Sequence, residues 1–260
     1  MEILVCVKRV PDIAENEIQI DAAGTDIERE DLVYSVNEPD NYAVEEALQM
    51  VEREGGSVTV VTVGGEDDEE VLRREMAMGV GHGVLLSDDR FGDLDGRGCA
   101  TVLKAFVQKG RYDLVLTGVQ AEDGCAQVGG MLAALLDYPF ASLVTSIELL
   151  EGGKLKIGRE IEGGSREISA IELPCVLSIQ TGINEPRYVG MRGIRQVASV
   201  PIPRFGAADL AIDTEMLQAR VRRVDYFVPP AGHGAEILQG SREEKVEQLV
   251  ELLKTKGGLN

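Results

Sequence analysis

The sequence contains little of what metal sites and disulfide-rich folds are made from. It has no tryptophan, two histidines and four cysteines in 260 residues. The cysteines, Cys6, Cys99, Cys125 and Cys175, are widely scattered, and no CxxC or His-rich spacing accompanies them. Because zinc sites and disulfide frameworks depend on clustered or regularly spaced ligands, we expect neither a bound metal nor structural disulfides.

Basic residues are also few. The chain has 26 Lys and Arg against 45 Asp and Glu, which gives a formal net charge of −19. Proteins that bind nucleic acids usually carry a basic face, because much of their affinity comes from neutralising phosphates. We therefore expect no nucleic-acid partner, and the composition favours small ligands or other proteins.

Long apolar runs are missing as well. No run reaches the roughly 18 residues that a transmembrane helix needs, and no basic region precedes an apolar segment at the N-terminus. We expect no transmembrane segment and a cytoplasmic location. The hydrophobic content of 44% is nevertheless sufficient for a full α/β core.

The strongest pattern in the chain is the stretch 113–131, DLVLTGVQAEDGCAQVGGM. A short β-rich run leads through a Gly-rich, acidic turn into a helix that starts near Ala126. At the carboxyl edge of a parallel sheet, such a helix directs free N–H groups and its positive dipole end at the turn, where they stabilise an anion. A plain turn would need only the glycines, whereas Gln120, Asp123 and Gln127 add hydrogen-bonding groups. We interpret this turn as a ligand site.

Three earlier strand-then-helix units precede this stretch. The first strand is ILVCVKRV, which leaves Lys8 and Arg9 at its carboxyl end, and the next two are SVTVVTV and HGVLLS. Helical spacing follows at 41–51, after the acidic run 66–70 and at 99–108. Strands that alternate with helices predict an α/β fold with a doubly wound parallel sheet.

The region between the first two predicted strands carries weaker signals. Residues 11–36 alternate weakly between polar and apolar, which predicts a surface hairpin. The sequence NEPD then precedes the helix at 41–51. Asp40 is the favoured N-cap of that helix, because Asn37 lies too far ahead of it.

Beyond Pro139 the chain becomes β-rich. The pieces SLVTSIELL, KLKIGREIEG, REISAIEL and CVLSIQT predict antiparallel hairpins. Residues 182–200 show no regular period and predict an exposed loop, and 242–254 predicts a helix that either folds back or docks on another chain. We divide the chain into an α/β domain at 1–205, which includes the β-rich segment and the loop, and a C-terminal arm at 206–260.

Six segments in chain order resemble those of the electron transfer flavoprotein β subunit: VKRVPD, NEPDNYAVEEAL, VTVVTVGG, DLVLTGVQAEDGCAQVGGMLA, KIGREIEGG and INEPRYVGMRGI. The resemblance spans nearly the whole chain, and its NEPRY and REIEGG motifs are individually specific. It implies an αβ heterodimer in which the α subunit holds a redox-active FAD and the β subunit binds an adenine nucleotide. Such a pair carries electrons between dehydrogenases, of acyl-CoA or related type, and a membrane quinone oxidoreductase. The β subunit performs no bond chemistry of its own.

The resemblance also implies positions for the contacts. Partner recognition falls on Tyr188 and Met191, in a loop whose apolar side chain inserts into a cavity on the dehydrogenase. The turn AEDGCAQ is one residue shorter than is common in the family, so its acids receive no individual roles. Nucleotide contacts fall on Cys6, Asn37, Glu38, Pro39, Asp40, Val63, Gly118, Val119, Gln120, Ala121, Glu122, Asp123, Gly124, Cys125, Ala126, Gln127 and Val128.

Several alternatives stay open. Electron-bifurcating members of the family bind a second FAD where others bind AMP; SDDRFGDLDGRGCAT lacks a Gly-Ser-Asp-Thr associated with them, which favours AMP. A stand-alone nucleotide sensor of the stress-protein kind would share the fold but needs neither the NEPRY loop nor the arm. A nicotinamide dehydrogenase would show GxGxxG after the first strand, where KRVPDIAE stands. Met191 itself is either an exposed anchor or a core residue.

Overall fold

The computed structural model describes residues 1–230, 232 and 234–258. They form two compact units. The first comprises Met1–Gln19 and Glu28–Val224, and the second comprises Ile20–Ile27 and the described residues from Asp225 onward. Positions 231, 233, 259 and 260 of the predicted arm lie outside the described residues.

The strands are short near the N-terminus and longest in the middle of the chain. In chain order they are β1 (Glu2–Cys6), β2 (Arg9–Pro11), β3 (Tyr34–Val36), β4 (Ser57–Val63), β5 (His82–Leu86), β6 (Leu114–Gly118), β7 (Phe140–Leu150), β8 (Lys154–Ile161), β9 (Ser165–Glu172), β10 (Cys175–Ile179) and β11 (Arg204–Phe205). Within the described residues, nine of them form one sheet in the order β11-β5-β4-β1-β6-β10-β7-β8-β9. Neighbours from β11 to β7 pair in parallel, and β8 and β9 extend the sheet in antiparallel fashion.

Four helices cover the two faces of this sheet: α1 (Glu38–Glu54), α2 (Glu69–Met78), α3 (Gly96–Val107) and α4 (Val128–Leu136). A short fifth helix, α5 (Met191–Val197), follows later in the first unit, and the second unit contains α6 (Arg242–Thr255). Helices α1 and α2 pack their apolar stripes, such as Ala43 and Leu72, on one face, and α3 and α4 pack Leu103 and Leu132 on the other. The predicted doubly wound α/β fold with an added antiparallel β-rich segment is therefore confirmed.

The strand β10 corrects one prediction. We expected CVLSIQT to form an antiparallel hairpin, but β10 lies between β6 and β7 and pairs with both in parallel. All five of its residues are buried. A short, mostly apolar run is typical of a strand that is covered on both faces, and its direction depends on the connection that brings it into the sheet.

Two loop predictions also need correction. Residues 182–200, here called the recognition segment, contain the helix α5, whose period was hidden because only Gly193 and Val197 turn away from solvent. The expected hairpin at 11–36 is mostly irregular. Its antiparallel pairing is confined to β2 with β3 and to an isolated bridge between Ile20 and Ile27.

The second unit contains the predicted C-terminal helix. Helix α6 begins with a capping box: Glu244 N–H donates to Ser241 Oγ (3.3 Å), and Ser241 N–H donates to Glu244 Oε2 (2.7 Å). Its apolar residues, including Val246, Leu249 and Leu253, are exposed. The division of the chain into a domain and an arm stays a prediction. Among the described residues, no helix combines the length and the apolar character needed to cross a membrane.

Candidate functional site

The ends of β1 and β6 form a crevice at the centre of the sheet. From β1 the chain adds β4 and β5 on one side, then crosses to place β6 on the other side. Ligands bind at such a switch point, because the two following connections diverge and leave the strand ends open. Cys6, Val63 and Gly118 are the last residues of β1, β4 and β6, so the structure brings these predicted residues to one edge. We call the crevice, with the start of α1 and the turn after β6, the strand-end site.

Asp40 connects the two central strands across this crevice. Its side chain is buried, with Oδ2 accepting the N–H of Lys8 (2.8 Å) and Oδ1 accepting the N–H of Gly118 (3.0 Å). The expectation that Asp40 caps a helix at 41–51 is wrong, because α1 begins at Glu38 and Asp40 lies in its first turn. The carboxylate binds the ends of other strands, a role that only the tertiary structure reveals.

Gly118 allows this connection. A Cβ at this position would overlap with Asp40 Oδ1 and would lie 2.9 Å from the Cβ of Pro39. Burial raises the pKa of Asp40 to about 7, against the two N–H bonds and the charge of Lys8, which favour the ionised form. The site therefore contains a carboxyl group that titrates near neutral pH.

Asn37 occupies the N-cap position of α1 without capping it through its side chain. The residue is 2% exposed, and its Nδ2 donates to the backbone oxygen of Gln120 (2.9 Å). No described residue donates a hydrogen bond to Asn37 Oδ1. A buried polar atom without a partner is costly, so Oδ1 is suited to accept a hydrogen bond from a ligand.

The turn after β6 is exposed and lies between basic groups. Lys8 Nζ is 2.5 Å from Asp123 Oδ1, and Arg223 Nη2 donates to the backbone oxygen of Asp123 (3.4 Å). The side chains of Lys8 and Asp123 are nearly half exposed, and such pairs are weak. Lys8 can therefore exchange its partner for an anion, and the two cations offset the acids of the turn. Sequence reasoning missed Arg223, because it lies about 100 residues downstream in an irregular stretch.

Helix α4 starts at Val128, so its first N–H groups face the turn. Gly129, in the first turn of α4, does not leave its backbone open to a ligand. A Cβ at this position would lie 2.5 Å from Ser178 Oγ and 2.9 Å from Thr117 Oγ1, which are themselves hydrogen-bonded at 2.9 Å. Gly129 therefore lets helix α4 pack closely against β6 and β10. Its effect on the site is indirect: this packing fixes where the N-terminus of the helix lies.

The cysteines at this edge are not prepared for thiolate chemistry. Cys6 and Cys99 are partly covered, and burial raises the pKa of both thiols, to about 11 for Cys99. Both thiols are therefore neutral at physiological pH. Cys125 lies exposed in the turn, where Ala126 adopts a left-handed conformation (φ 54°) just before α4.

The remaining predicted contacts lie around the same crevice. Glu38 and Pro39 open helix α1, and Val128 opens helix α4. The turn itself contains Val119, Gln120, Ala121, Glu122, Asp123, Gly124, Cys125, Ala126 and Gln127. The predicted partner-recognition residues, Tyr188 and Met191, are 91% and 65% exposed, so Met191 is not a core residue.

Comparison with known proteins assigns the chain to a family. The model of the electron transfer flavoprotein domain matches residues 25–210. The chain is 34% identical over 257 residues to the electron transfer flavoprotein subunit beta of Bacillus subtilis, covering 98% of both chains. It is 37% identical over 263 residues to the caffeyl-CoA reductase-Etf complex subunit CarD of Acetobacterium woodii, and 32% identical over 268 residues to the acryloyl-CoA reductase electron transfer subunit gamma of Anaerotignum propionicum, each covering 98% of this chain and 99% of the relative. The chain thus belongs to the electron transfer flavoprotein β-subunit family.

Proposed function

We propose that the chain pairs with an electron transfer flavoprotein α subunit and carries electrons from an acyl-CoA or related dehydrogenase to a membrane quinone oxidoreductase. Family membership over nearly the full length supports the carrier role over a stand-alone nucleotide sensor. The names of two relatives, which refer to caffeyl-CoA and acryloyl-CoA reductases, support a partner that acts on CoA thioesters. The FAD, held mainly by the α subunit, supplies the redox chemistry, and this chain contributes binding and orientation without catalytic residues of its own.

The strand-end site is the proposed position of an adenine nucleotide. AMP is the favoured occupant, and a second FAD is the alternative. The N–H groups at the start of α4, together with Lys8 and Arg223, suit the phosphate. Short-range donors can hold a phosphate on a chain of net charge −19, because salt screens the repulsion from charges that lie more than about 10 Å away.

The unpartnered Oδ1 of Asn37 is the observation that carries this proposal. Asn37 is buried at the switch point, and its amide is already fixed by the oxygen of Gln120. The free acceptor therefore points to a donor that the described part of the chain does not supply. A nucleotide offers such donors in its hydroxyl and amino groups.

The test is the nucleotide content of the heterodimer. The chain is co-expressed with its α subunit, and the purified complex is denatured so that released AMP and FAD can be measured by chromatography. We expect one adenine nucleotide in addition to one FAD per heterodimer. Asn37→Ala should reduce that content at least tenfold, because it removes both the acceptor and the bond to the turn.

Asn41→Ala is the matched control. Asn41 lies one turn further along α1 and is only half-buried, so its removal should leave the nucleotide content unchanged. Two FAD molecules and no AMP would assign the second FAD to this chain. A heterodimer without any second nucleotide, or an Asn37→Ala variant with full content, would contradict the proposed site.

The C-terminal arm is proposed to dock on the α subunit. Its helix α6 exposes a stripe of apolar residues, which is typical of a helix that packs on a partner. Truncation after Val224 removes the part of the arm that contains α6 and belongs to the second unit. It leaves the buried residues Ala207, Leu210 and Leu217 of the first unit in place. We expect the shortened chain to bind the α subunit at least 100-fold more weakly in a co-purification or titration assay. Unchanged affinity would exclude the docking role.

A further inference from the structure

The recognition segment displays apolar side chains although it is firmly attached to the protein. Tyr188, Met191 and Ile194 are exposed. Exposed apolar residues on a short surface segment would normally collapse onto the nearest core or move freely, because hydrophobic contact has no preferred direction. Other interactions must therefore hold these three side chains in solvent.

The first attachment is an ion pair between Arg187 and helix α1. Arg187 Nε donates to Glu45 Oε2 (2.8 Å), and Nη2 donates to Glu45 Oε1 (3.0 Å). The Arg187 backbone N–H donates to the same carboxylate (3.1 Å), and Nη1 reaches Glu52 Oε1 (2.8 Å). Such a bidentate ion pair fixes the orientation of the Arg187 side chain as well as its distance from Glu45, which a lysine cannot do.

Glu45 is itself committed to this contact. It is 4% exposed, and Gln49 donates a further bond to its Oε1 (2.9 Å). Burial alone would raise the pKa of Glu45, but the bonds from Arg187 and Gln49 outweigh it and hold the pKa below its usual range. The carboxylate is thus ionised. Burying this charge would be costly without a partner, and Arg187 is the charged partner that offsets the cost.

Further attachments lie on both sides of Arg187. Asn184 Nδ2 donates to the backbone oxygen of Tyr42 (3.0 Å) and to Glu46 Oε2 (3.2 Å), which adds a second contact with α1. At the far end, Arg73 Nη1 on α2 donates to the backbone oxygens of Val197 (2.7 Å) and Val200 (3.2 Å). The segment is therefore held before and after its exposed residues.

Helix α5 also lies directly on α2. A Cβ at Gly193 would be 2.7 Å from the backbone oxygen of Ala77, so only glycine allows this approach. The helix consequently directs Met191 and Ile194 outward, beside the exposed Arg192 and Arg195. On a chain of net charge −19, this combination suits an apolar pocket with an acidic rim.

We propose that Arg187 is the positioning residue of this surface: by binding Glu45 it fixes Tyr188, Met191 and Ile194 in the geometry that the electron-donating dehydrogenase recognises. The inference rests on the proposed docking of a dehydrogenase on this segment. Arg187 itself does not meet the partner. It acts by ordering the surface before docking, which removes an entropic cost that a mobile segment would add to binding.

The test compares Arg187→Gln, Arg187→Lys and a control, Arg53→Gln, in the heterodimer with the α subunit. Arg53 lies on α1, the helix that carries Glu45, and its ion pair with Glu46 is long (Nη2 to Oε1, 3.7 Å). Electron transfer is measured with a purified acyl-CoA dehydrogenase, reduced by its acyl-CoA, as its concentration is raised. Amide hydrogen exchange of residues 186–198 is followed in the heterodimer alone.

We expect Arg187→Gln to raise the half-saturating dehydrogenase concentration at least tenfold while the rate at saturation stays within twofold. Exchange at 186–198 should become faster, and nucleotide and flavin content should not change. Arg187→Lys should lie between Gln and wild type, because it retains the charge but loses the bidentate ion pair. It also supplies the answer if the Gln variant does not fold, and Arg53→Gln should behave as wild type.

Two outcomes would overturn the proposal. Unchanged exchange in both Arg187 variants would show that the ion pair does not fix the segment, and unchanged half-saturation would show that fixing it does not serve docking. Met191→Ala separates this failure from that of the proposed function. If Met191→Ala weakens docking and the Arg187 variants do not, only the positioning role is wrong; if Met191→Ala has no effect either, the docking surface lies elsewhere.

Discussion

The strand-end site and the recognition segment are both attached to helix α1, and they use its residues in opposite ways. At the start of the helix, Asn37 and Asp40 are buried and bond to the backbone of the strands and of the turn after β6. Further along, Glu45 is buried against Arg187 and thereby holds apolar side chains in solvent. In the first region, buried polar side chains surround a crevice. In the second, a buried ion pair keeps an apolar surface exposed to solvent. A small ligand requires the first arrangement and a protein partner requires the second.

The two regions should respond very differently to one methyl group added to a glycine. Gly118→Ala would force a Cβ into Asp40 Oδ1 and the Pro39 side chain, whereas a Cβ at Gly190 meets nothing within 4 Å. We expect Gly118→Ala to destabilise the protein by about 3 kcal/mol and to remove the nucleotide, and Gly190→Ala to change stability by less than about 0.5 kcal/mol. Urea unfolding and nucleotide content measure both effects. Equal stability of the two variants would mean that Asp40 can move away from Gly118 at little cost.

A pH series tests a buried carboxyl group on α2, the helix on which α5 of the recognition segment lies. Glu75 on α2 is fully buried, and no described residue hydrogen-bonds to its carboxylate. Burial raises its pKa to about 8, opposed by Arg74 and assisted by the charge of Asp40. The folded protein therefore holds a proton that the unfolded chain releases at lower pH, so this contribution to stability is lost as pH rises towards 8.

We expect the free energy of unfolding to fall by about 1 kcal/mol per pH unit between pH 6 and 8 because of this group. Glu75→Gln should flatten the decline, leaving the smaller slope of Asp40, whose pKa is also raised by burial. Glu70→Gln, on the exposed side of the same helix, is the control and should keep the wild-type slope. A Glu75→Gln protein with the full slope would assign the pH dependence to other groups.

The smallest effect on stability is expected at the exposed surface itself. Met191 is 65% exposed, so Met191→Ala should leave the melting temperature within about 1 °C of wild type. Burial of the side chain in a partner is worth on the order of 1.5 to 3 kcal/mol, so electron transfer at low dehydrogenase concentration should fall about tenfold or more. Flavin and nucleotide content should stay the same. A large fall in melting temperature with normal transfer would make Met191 a packing residue.

The order of strands and helices was predictable because it depends on local patterns. The runs SVTVVTV and HGVLLS became β4 and β5, and the four strand-then-helix units formed the parallel sheet. The C-terminal helix was equally clear from the stripe that includes Val246 and Leu249. Each pattern reports which residues face a core, and that information is present in the sequence itself.

The direction of a strand and the contact partners of individual side chains were not predictable in the same way. The mostly apolar run CVLSI looks the same in an antiparallel or a parallel strand, and only its place between β6 and β7 decides its direction. Helix α5 escaped notice because only Gly193 and Val197 face the protein, and a glycine and one valine give no helical period. Asp40 looked like a helix cap because its true partners, the N–H groups of Lys8 and Gly118, are distant in the sequence.

The local sequence patterns were therefore enough to predict the α/β class, the edge at which the glycine-rich turn lies, and the resemblance that led to the family. The roles of the buried polar residues became visible only in the folded chain: Asp40 joins two strand ends, Asn37 keeps an acceptor to which no described residue donates, and Glu45 holds Arg187. The physical reason is that a hydrophobic pattern repeats along the chain and can be read locally. A hydrogen bond or ion pair between distant residues leaves no such period, and its partners become known only when folding brings them within about 3 Å.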